Sequence, residues 1–245
     1  MNIFQLLGLK PDHRDNEKKT TQLVKHWDEV SDIHKHDKKR FGLQLKKDGV
    51  CSITYIRNGL ASIWSRTSKE FTNTGHLCRD ITKMNLRDGV YFGEMTCELD
   101  GVSLEMLSGV VSPNRVKPLD GTNSGIAINL TMNFFDMVSI ESFIEGASQT
   151  KFQVRYNSLV ERVYGVGVVP NVLPNSVHVI NMFPIHPTEI DGWLNIAVKN
   201  DEEGIIIIDL DAGWEAGHKG WRKMKKVRGC DYDLLCVGYE DGKGK

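Results

Sequence analysis

A lysine in the segment FGLQLKKDG is the first residue of this chain whose type and surroundings favour chemistry. Phe41, Leu43 and Leu45 alternate with polar residues, which predicts a strand with one apolar face, and Lys46 falls on the opposite face with Gln44. Burial and neighbouring cations lower the pKa of a lysine, and a deprotonated amine is a nucleophile. An ordinary surface lysine is the alternative, because the short pattern K-x-D-G is weak by itself.

A carboxylate next to a buried strand is the second candidate. The run GIIIID (204–209) is apolar and bounded by charge, which is typical of a strand covered on both faces. Glu203 directly precedes this run, so we expect it at the mouth of a buried sheet. A carboxylate in that place is a candidate for chemistry.

Two basic runs accompany these candidates. Residues 34–47 contain six Lys or Arg against one acid, and residues 217–229 contain six against none. The formal net charge of the chain is −1, so any binding of nucleic acid has to depend on such local patches. A solvated surface is the usual alternative for a basic run.

The elements that must position these residues indicate an α+β fold with mostly antiparallel sheets. A stripe formed by Leu23, Val24, Trp27 and Val30 predicts an amphipathic helix over 14–31. The sequence R-N-G at 57–59 predicts a hairpin turn. Further strands are predicted at 50–56, 89–95, 126–135, 177–183 and 232–239, and further helices at 74–84, 141–148 and 149–163.

The composition limits the class of protein. The chain has 245 residues, of which 40% are hydrophobic and 26% charged, as in soluble globular domains rather than disordered or fibrous chains. Its five cysteines are odd in number and form no C-x-x-C, which favours reduced thiols over disulfides or a structural zinc site. It contains neither an apolar run of membrane-spanning length nor a targeting segment, so we expect a cytoplasmic protein without a membrane partner.

The order of several motifs carries more information than any one of them. After KKDG the chain contains SRTSKEF, GVYFGEM, MNFFDM, DEEGIIII and WRKMKK. This series resembles the nucleotidyltransferase motifs of ATP-dependent DNA ligases, and the resemblance covers about 41–245. The region from KKDG to residue 77 looks especially like the small ligases of bacteriophages.

The resemblance implies an activity, two cofactors and a set of roles. Lys46 would attack ATP, carry AMP as a phosphoramidate and pass it to the 5′-phosphate of nicked double-stranded DNA, with Mg²⁺ as the metal. Phe135 would stack on adenine, with Phe134 as the rival. Glu94 and Glu203 would hold the metal. The implied nucleotide-binding residues are Gln44, Lys46, Arg66, Glu94, Phe135, Lys223 and Lys225, with Asp48 assisting.

The chain departs from the family pattern at three positions. Cys51 stands where these ligases usually have arginine, and we expect Arg57 to assist in its place. Gln44 stands where DNA ligases often have an acid, although an amide can still read the adenine edge. Ile208 stands where Lys or Arg is common.

The end of the chain predicts an incomplete second domain. We expect an adenylation domain over 1–227 and, over 228–245, a linker and the first strand of an oligonucleotide-binding (OB) barrel. Such a barrel needs about five strands. The missing strands would come from a second polypeptide, as in a split ligase, or the chain is shortened.

Two other functions stay open at this point. One is an RNA ligase or a capping-type nucleotidyltransferase, which would use the same lysine. The other is a catalytically silent nucleic-acid-binding subunit that kept the fold after losing the arginine at position 51.

Overall fold

The fold is seen in a computed structural model, which describes residues 1–10, 13, 20–36, 38–165 and 174–228. Helices and strands alternate along these residues without a repeating unit. The helices are α1 (Ile3–Leu6), α2 (Gly75–Lys83), α3 (Leu104–Val111), α4 (Gly121–Ile128), α5 (Ile140–Glu145), α6 (Phe152–Tyr164) and α7 (Ile190–Lys199). The strands are β1 (Lys25–His26), β2 (Phe41–Lys46), β3 (Val50–Arg57), β4 (Leu60–Ser65), β5 (Gly89–Cys97), β6 (Leu130–Val138), β7 (Ala147–Ser148), β8 (Val177–Val179), β9 (Phe183–Ile185), β10 (Gly204–Asp209), β11 (Trp214–Glu215) and β12 (Lys223–Val227).

The strands form two main sheets. Sheet A has the order β1-β12-β10-β2-β9, sheet B has the order β4-β3-β5-β6-β8, and β11 pairs with β7 in a small third sheet. Neighbouring strands are antiparallel except for β1 with β12 and β6 with β8. The predicted α+β class with mostly antiparallel sheets is therefore confirmed, and the described part contains no closed barrel.

Sheet A divides its side chains by alternation. Phe41, Leu43, Ile205, Ile207 and Met224 all point to one face and form a buried core. Their neighbours along the strands point to the other face. The register places Gln44, Ile206 and Lys225 in one row across this second face, and Gly42, Ile208 and Lys223 in another row.

Sheet B is covered on one face by helices. Its buried residues on that side pack with α2, α3, α4 and α6 in the largest hydrophobic core. The opposite face packs at one end against α1, α5 and Trp214. The β3–β4 hairpin turns at Asn58 (φ 52°) and Gly59 (φ 74°), as predicted from R-N-G.

Several predicted boundaries were wrong. The predicted helix over 14–31 is not found in its described part, where residues 20–24 are a bend and irregular backbone and only Trp27–Glu29 forms a 3₁₀ turn; residues 14–19 lie outside the described residues. The reason is tertiary pairing: the Gly217 amide donates to the Thr21 carbonyl at 2.8 Å, and the Leu23 amide donates to the His218 carbonyl at 3.0 Å. A non-helical segment can satisfy such pairs and a helix cannot.

Other elements differ in extent. Residues 126–128 end α4, so the predicted strand 126–135 starts at Leu130, and 177–183 divides into β8 and the start of β9. Residues 147–148 are a strand rather than the end of a helix. The predicted strand 232–239 lies outside the described residues. None of the helices that the structure describes has the length and apolar character needed to cross a membrane.

Candidate active site

A cleft of about 580 Å³ lies between the polar face of sheet A and the open end of sheet B. Both sheets contribute its lining, and the connection from residue 21 to residue 24 adds a further wall. The predicted residues that line it are Gln44, Lys46, Arg66, Glu94, Phe135, Lys223 and Lys225. The structure therefore brings together seven side chains that are far apart in sequence.

Lys46 ends β2 and forms an ion pair with Glu203. The register explains the contact, because Lys46 is paired with Gly204, the residue that follows Glu203. Gly204 has φ 156°, and a Cβ atom there would lie 2.4 Å from the Lys226 carbonyl oxygen. A glycine is thus required for β10 to begin beside β12 and carry the carboxylate to the amine.

Glu94 lies across the cleft on β5, against the turn that follows Lys46. A Cβ atom on Gly49 would lie 2.6 Å from the Met95 carbonyl oxygen and 2.8 Å from Glu94 Cγ, so only glycine allows this close approach. Burial raises the pKa of Glu94 to about 7, an effect that Lys46 and Lys223 partly oppose and Glu203 and Asp48 reinforce. Asp48 itself is exposed in the turn and does not line the cleft.

A β-bulge presents Phe135 to the cleft. β5 pairs Phe92 with Asp136 and Gly93 with Phe134, so Phe135 is the extra residue on β6. Phe134 is fully buried in the core, which removes it as a rival for a position in the cleft. The Lys223 ammonium lies 3.8 Å from the centre of the Phe135 ring, and burial lowers the pKa of this lysine.

Cys51 occupies the cleft where related sequences usually carry arginine. Burial is the main cause that raises the pKa of its thiol to about 11, so the thiol is neutral near pH 7. The cations that act on it are Lys223, Arg66 and Lys46. Arg57, which we expected to assist, lies instead at the hairpin end of β3, paired in register with Leu60 and exposed. The structure does not bring Arg57 to the cleft.

Sequence reasoning missed a buried ion pair behind the cleft. Arg155 on α6 donates from Nε and Nη2 to the two carboxylate oxygens of Asp136, each at 2.9 Å. Its Nη1 donates to the backbone carbonyls of Thr150 and Ala212. Asp136 lines the cleft beside Phe135 and accepts a hydrogen bond from the Met137 amide. The acidic residue directly after Phe135 in MNFFDM was a signal in the sequence for one half of this pair. Nothing in the sequence pointed to Arg155.

Many cationic side chains of the two basic runs are paired with acidic side chains. Lys39 contacts Asp209 at 2.5 Å, and Arg40 contacts Asp211 at 2.7 Å. Further pairs join Lys35 to Asp32, Lys47 to Glu202, Arg222 to Glu215 and Lys226 to Asp28 and Asp191. By contrast, Lys223 and Lys225 form no ion pair with another described residue and face the cleft.

The cleft suits a metal that is shared with a phosphate. Within the described ranges, no three His, Cys, Asp or Glu side chains are grouped so that they alone could hold an ion. Glu203 touches Lys46, and Glu94 interacts electrostatically with both of these residues. Mg²⁺ prefers one or two carboxylates together with phosphate oxygens and water, and this donor set fits that preference.

The chain is similar to several known proteins. The family model described as "ATP dependent DNA ligase domain" matches residues 21–225. A DNA ligase of Pyrobaculum islandicum is 26% identical over 215 residues, which are 82% of this chain and 34% of that protein. The chain thus spans about a third of the length of this curated relative.

Solved structures show the same fold. The structure named Pmar-Lig_PreS3 has a TM-score of 0.70 at 20% identity, over 85% of this chain and 46% of that chain. The ATP-dependent DNA ligase from bacteriophage T7 in complex with ATP has a TM-score of 0.66 at 14% identity, over 85% of this chain and 68% of that chain.

Proposed function

Since the chain belongs to the family of the ATP-dependent DNA ligase domain, we propose that it is the adenylating part of a DNA ligase. In this proposal Lys46 takes AMP from ATP and passes it to the 5′-phosphate of nicked DNA. One observation carries the proposal: Lys46 lines the cleft together with Glu94 and Lys223, and its amine forms an ion pair with Glu203.

One part of the cleft suits the base of ATP, and another part suits its phosphates. Phe135, Ile206 and Ile180 line one part and offer apolar surface to a flat base, and Gln44 lies among them, 1% exposed. Lys46 lies two residues after Gln44, on the same face of β2. If the base lies beside Gln44, the α-phosphate would lie near the Lys46 amine. Lys223, Lys225 and Arg66 would hold phosphate or ribose oxygens.

The proposed chemistry asks little of the protein beyond position and charge. The free amine of Lys46 forms the N–P bond to the α-phosphorus as the P–O bond to pyrophosphate breaks. Glu203 holds the amine in place, and Lys223 and Lys225 stabilise the charge that moves to the pyrophosphate. Mg²⁺, held by Glu94 and Glu203, would neutralise phosphate oxygens.

The wider roles are also proposals. Nicked double-stranded DNA would contact the basic residues around the cleft, so its affinity would fall steeply with salt. Residues 1–227 would form the adenylation domain, and 228–245 would form a linker and the start of an OB domain. A role in DNA replication or repair, a bacteriophage origin and a cytoplasmic location complete the proposal; the free state of Cys51, Cys78 and Cys97 supports a reducing compartment.

Intact mass after incubation with ATP and Mg²⁺ tests the central step. We expect an added AMP in the wild type and a rate at least about 10⁴-fold lower in Lys46→Ala, because the nucleophile is gone. Lys47→Ala is the matched control, since Lys47 forms the neighbouring pair with Glu202, and it should still form the adduct. An adduct that persists in Lys46→Ala, or a wild type that forms none, would contradict the proposal.

Assays with different nucleotides and different nicked substrates distinguish this function from its alternatives. Labelled ATP and GTP, followed by nicked DNA or nicked RNA, distinguish a DNA ligase from an RNA ligase or a capping-type enzyme. A catalytically silent subunit would bind nicked DNA equally well in the wild type and in Lys46→Ala, without any covalent nucleotide.

A further inference from the structure

Tyr156 lies behind the cleft and hydrogen-bonds to the backbone of Ile180, which lines the cleft. The residue is on α6, is 8% exposed and stacks against Phe152. Its hydroxyl donates to the Ile180 carbonyl oxygen at 3.0 Å and accepts from the Met182 amide at 3.0 Å. One side chain therefore fixes both ends of the short connection between β8 and β9.

The carbonyl that Tyr156 holds is shared with Gln44. The Nε2 atom of Gln44 lies 3.4 Å from the Ile180 carbonyl oxygen and 3.4 Å from the Phe135 carbonyl oxygen. The Ile180 amide in turn donates to the Phe134 carbonyl at 2.8 Å. The amide nitrogen of Gln44 thus directs its two hydrogens at two backbone carbonyls, one on β6 and one on the connection that Tyr156 fixes.

These carbonyls decide which way the Gln44 amide points. The nitrogen and oxygen ends of an amide have nearly the same shape, and only their partners distinguish them. The reversed orientation would place Oε1 against two carbonyl oxygens in a region where Gln44 is 1% exposed. The oxygen end is therefore left to accept a hydrogen bond.

Tyr156 is suited to this task at neutral pH. Burial raises the pKa of its phenol above the ordinary value, so the hydroxyl keeps its proton and donates it.

We propose that Tyr156 is a positioning residue that keeps the Gln44 amide oriented as an acceptor, so that the cleft selects a 6-aminopurine over a 6-oxopurine nucleotide. This inference rests on the proposed function, since it takes the base to lie beside Gln44. The amino group of adenine would donate to Oε1, whereas the 6-oxo group of hypoxanthine or guanine would oppose it with a second acceptor.

Rates of covalent nucleotide formation with ATP and with inosine triphosphate test the proposal, since the two bases differ in the substituent at position 6. The full chain is used with Mg²⁺, and the readout is the ratio of the two second-order rates. Tyr156→Phe removes only the hydroxyl, and we expect it to lower the ratio about tenfold, the value of one net hydrogen bond. Tyr164→Phe is the matched control, because the Tyr164 hydroxyl accepts from the Val179 amide and forms no hydrogen bond with Ile180 or Met182 in the described part of the chain. It should keep the wild-type ratio.

Changes at Gln44 complete the test. Gln44→Leu should remove most of the preference for ATP.

An unchanged ratio in a Tyr156→Phe protein of normal thermal stability would overturn the proposal, and so would an unchanged ratio in Gln44→Leu. If Tyr156→Phe does not fold, Gln44→Leu decides the outcome, and we expect it to lose the preference for ATP. A wild type that forms no covalent nucleotide with either substrate would instead refute the proposed function.

Discussion

Two ion pairs near the cleft are built differently. Behind the cleft, Arg155 and Asp136 have side chains that are 4% and 9% exposed, joined by two hydrogen bonds of 2.9 Å. In the cleft, Lys46 and Glu203 are 23% and 38% exposed and joined by a single contact. The guanidinium has further backbone acceptors, whereas the Lys46 ammonium forms no other hydrogen bond with the described residues.

The difference shows which charged side chains are fixed by the fold and which are available to bind a ligand. A buried charge with all its donors satisfied is costly to disturb, because removal of one partner leaves the other uncompensated. A half-exposed pair has water as an alternative and is worth little to stability. The Arg155–Asp136 pair therefore belongs to the scaffold that fixes Phe135, and the Lys46–Glu203 pair can separate when a nucleotide enters.

Arg155→Met should give the largest loss of stability. It leaves the Asp136 carboxylate buried without its partner, and we expect a loss of about 3–5 kcal/mol in the free energy of unfolding. Urea denaturation measures this value. The double variant Arg155→Met/Asp136→Leu should recover most of the loss, because it removes both charges. A loss below about 1 kcal/mol in the single variant would contradict the assignment of this pair to the scaffold.

The pH dependence of Glu94 gives an intermediate effect. The pKa of Glu94 in the folded chain is about 7, above its ordinary value of 4.5. The folded state thus binds this proton more tightly than the unfolded state, so stability falls as pH rises from about 4.5 to 7. Glu94→Gln should remove that fall and stabilise the protein at pH 8 by up to about 3 kcal/mol.

Urea denaturation at pH 5 and pH 8 without Mg²⁺ measures the Glu94 effect. Glu98→Gln is the control, since Glu98 lies on the same segment but is exposed, and its stability profile should follow the wild type. If Glu94→Gln and the wild type lose stability equally between the two pH values, the buried carboxylate is not the cause.

Glu203→Gln should have the smallest effect on stability. We expect a change below about 1 kcal/mol, because the pair with Lys46 is partly exposed. Glu202→Gln, which removes the carboxylate of the neighbouring pair with Lys47, provides the comparison. A loss as large as that of Arg155→Met would mean that the two ion pairs do not differ in the way described.

Much of the active-site side of sheet A follows from sequence. Alternation along 41–46 and the apolar run 204–209 predicted β2 and β10. Period-two patterns report faces directly, so the side of β2 that carries Gln44 and Lys46 was evident before the partner strands were known. The family resemblance then supplied the remaining candidates on sheet B.

The features that sequence reasoning missed depend on long-range contacts. The bulge at Phe135 arises from the pairing of β5 with β6, and the Arg155–Asp136 pair joins residues 19 positions apart on a helix and a strand. Residues 20–24 have a helical apolar stripe but pair with the backbone of 217–218 instead. Arg57 was expected in the cleft by residue type alone, and the direction of β3 carries it to the opposite end.

The alignment of β2 with β10 has a practical consequence for refolding studies. Lys46 and Glu203 are 157 positions apart and meet only because Lys46 is matched with Gly204. A slip by one residue would turn alternate side chains to the wrong side of the sheet while leaving a compact, strand-rich molecule. Under the proposed function, recovery of covalent charging after denaturation would count only correctly aligned molecules, whereas circular dichroism would also count the misaligned ones.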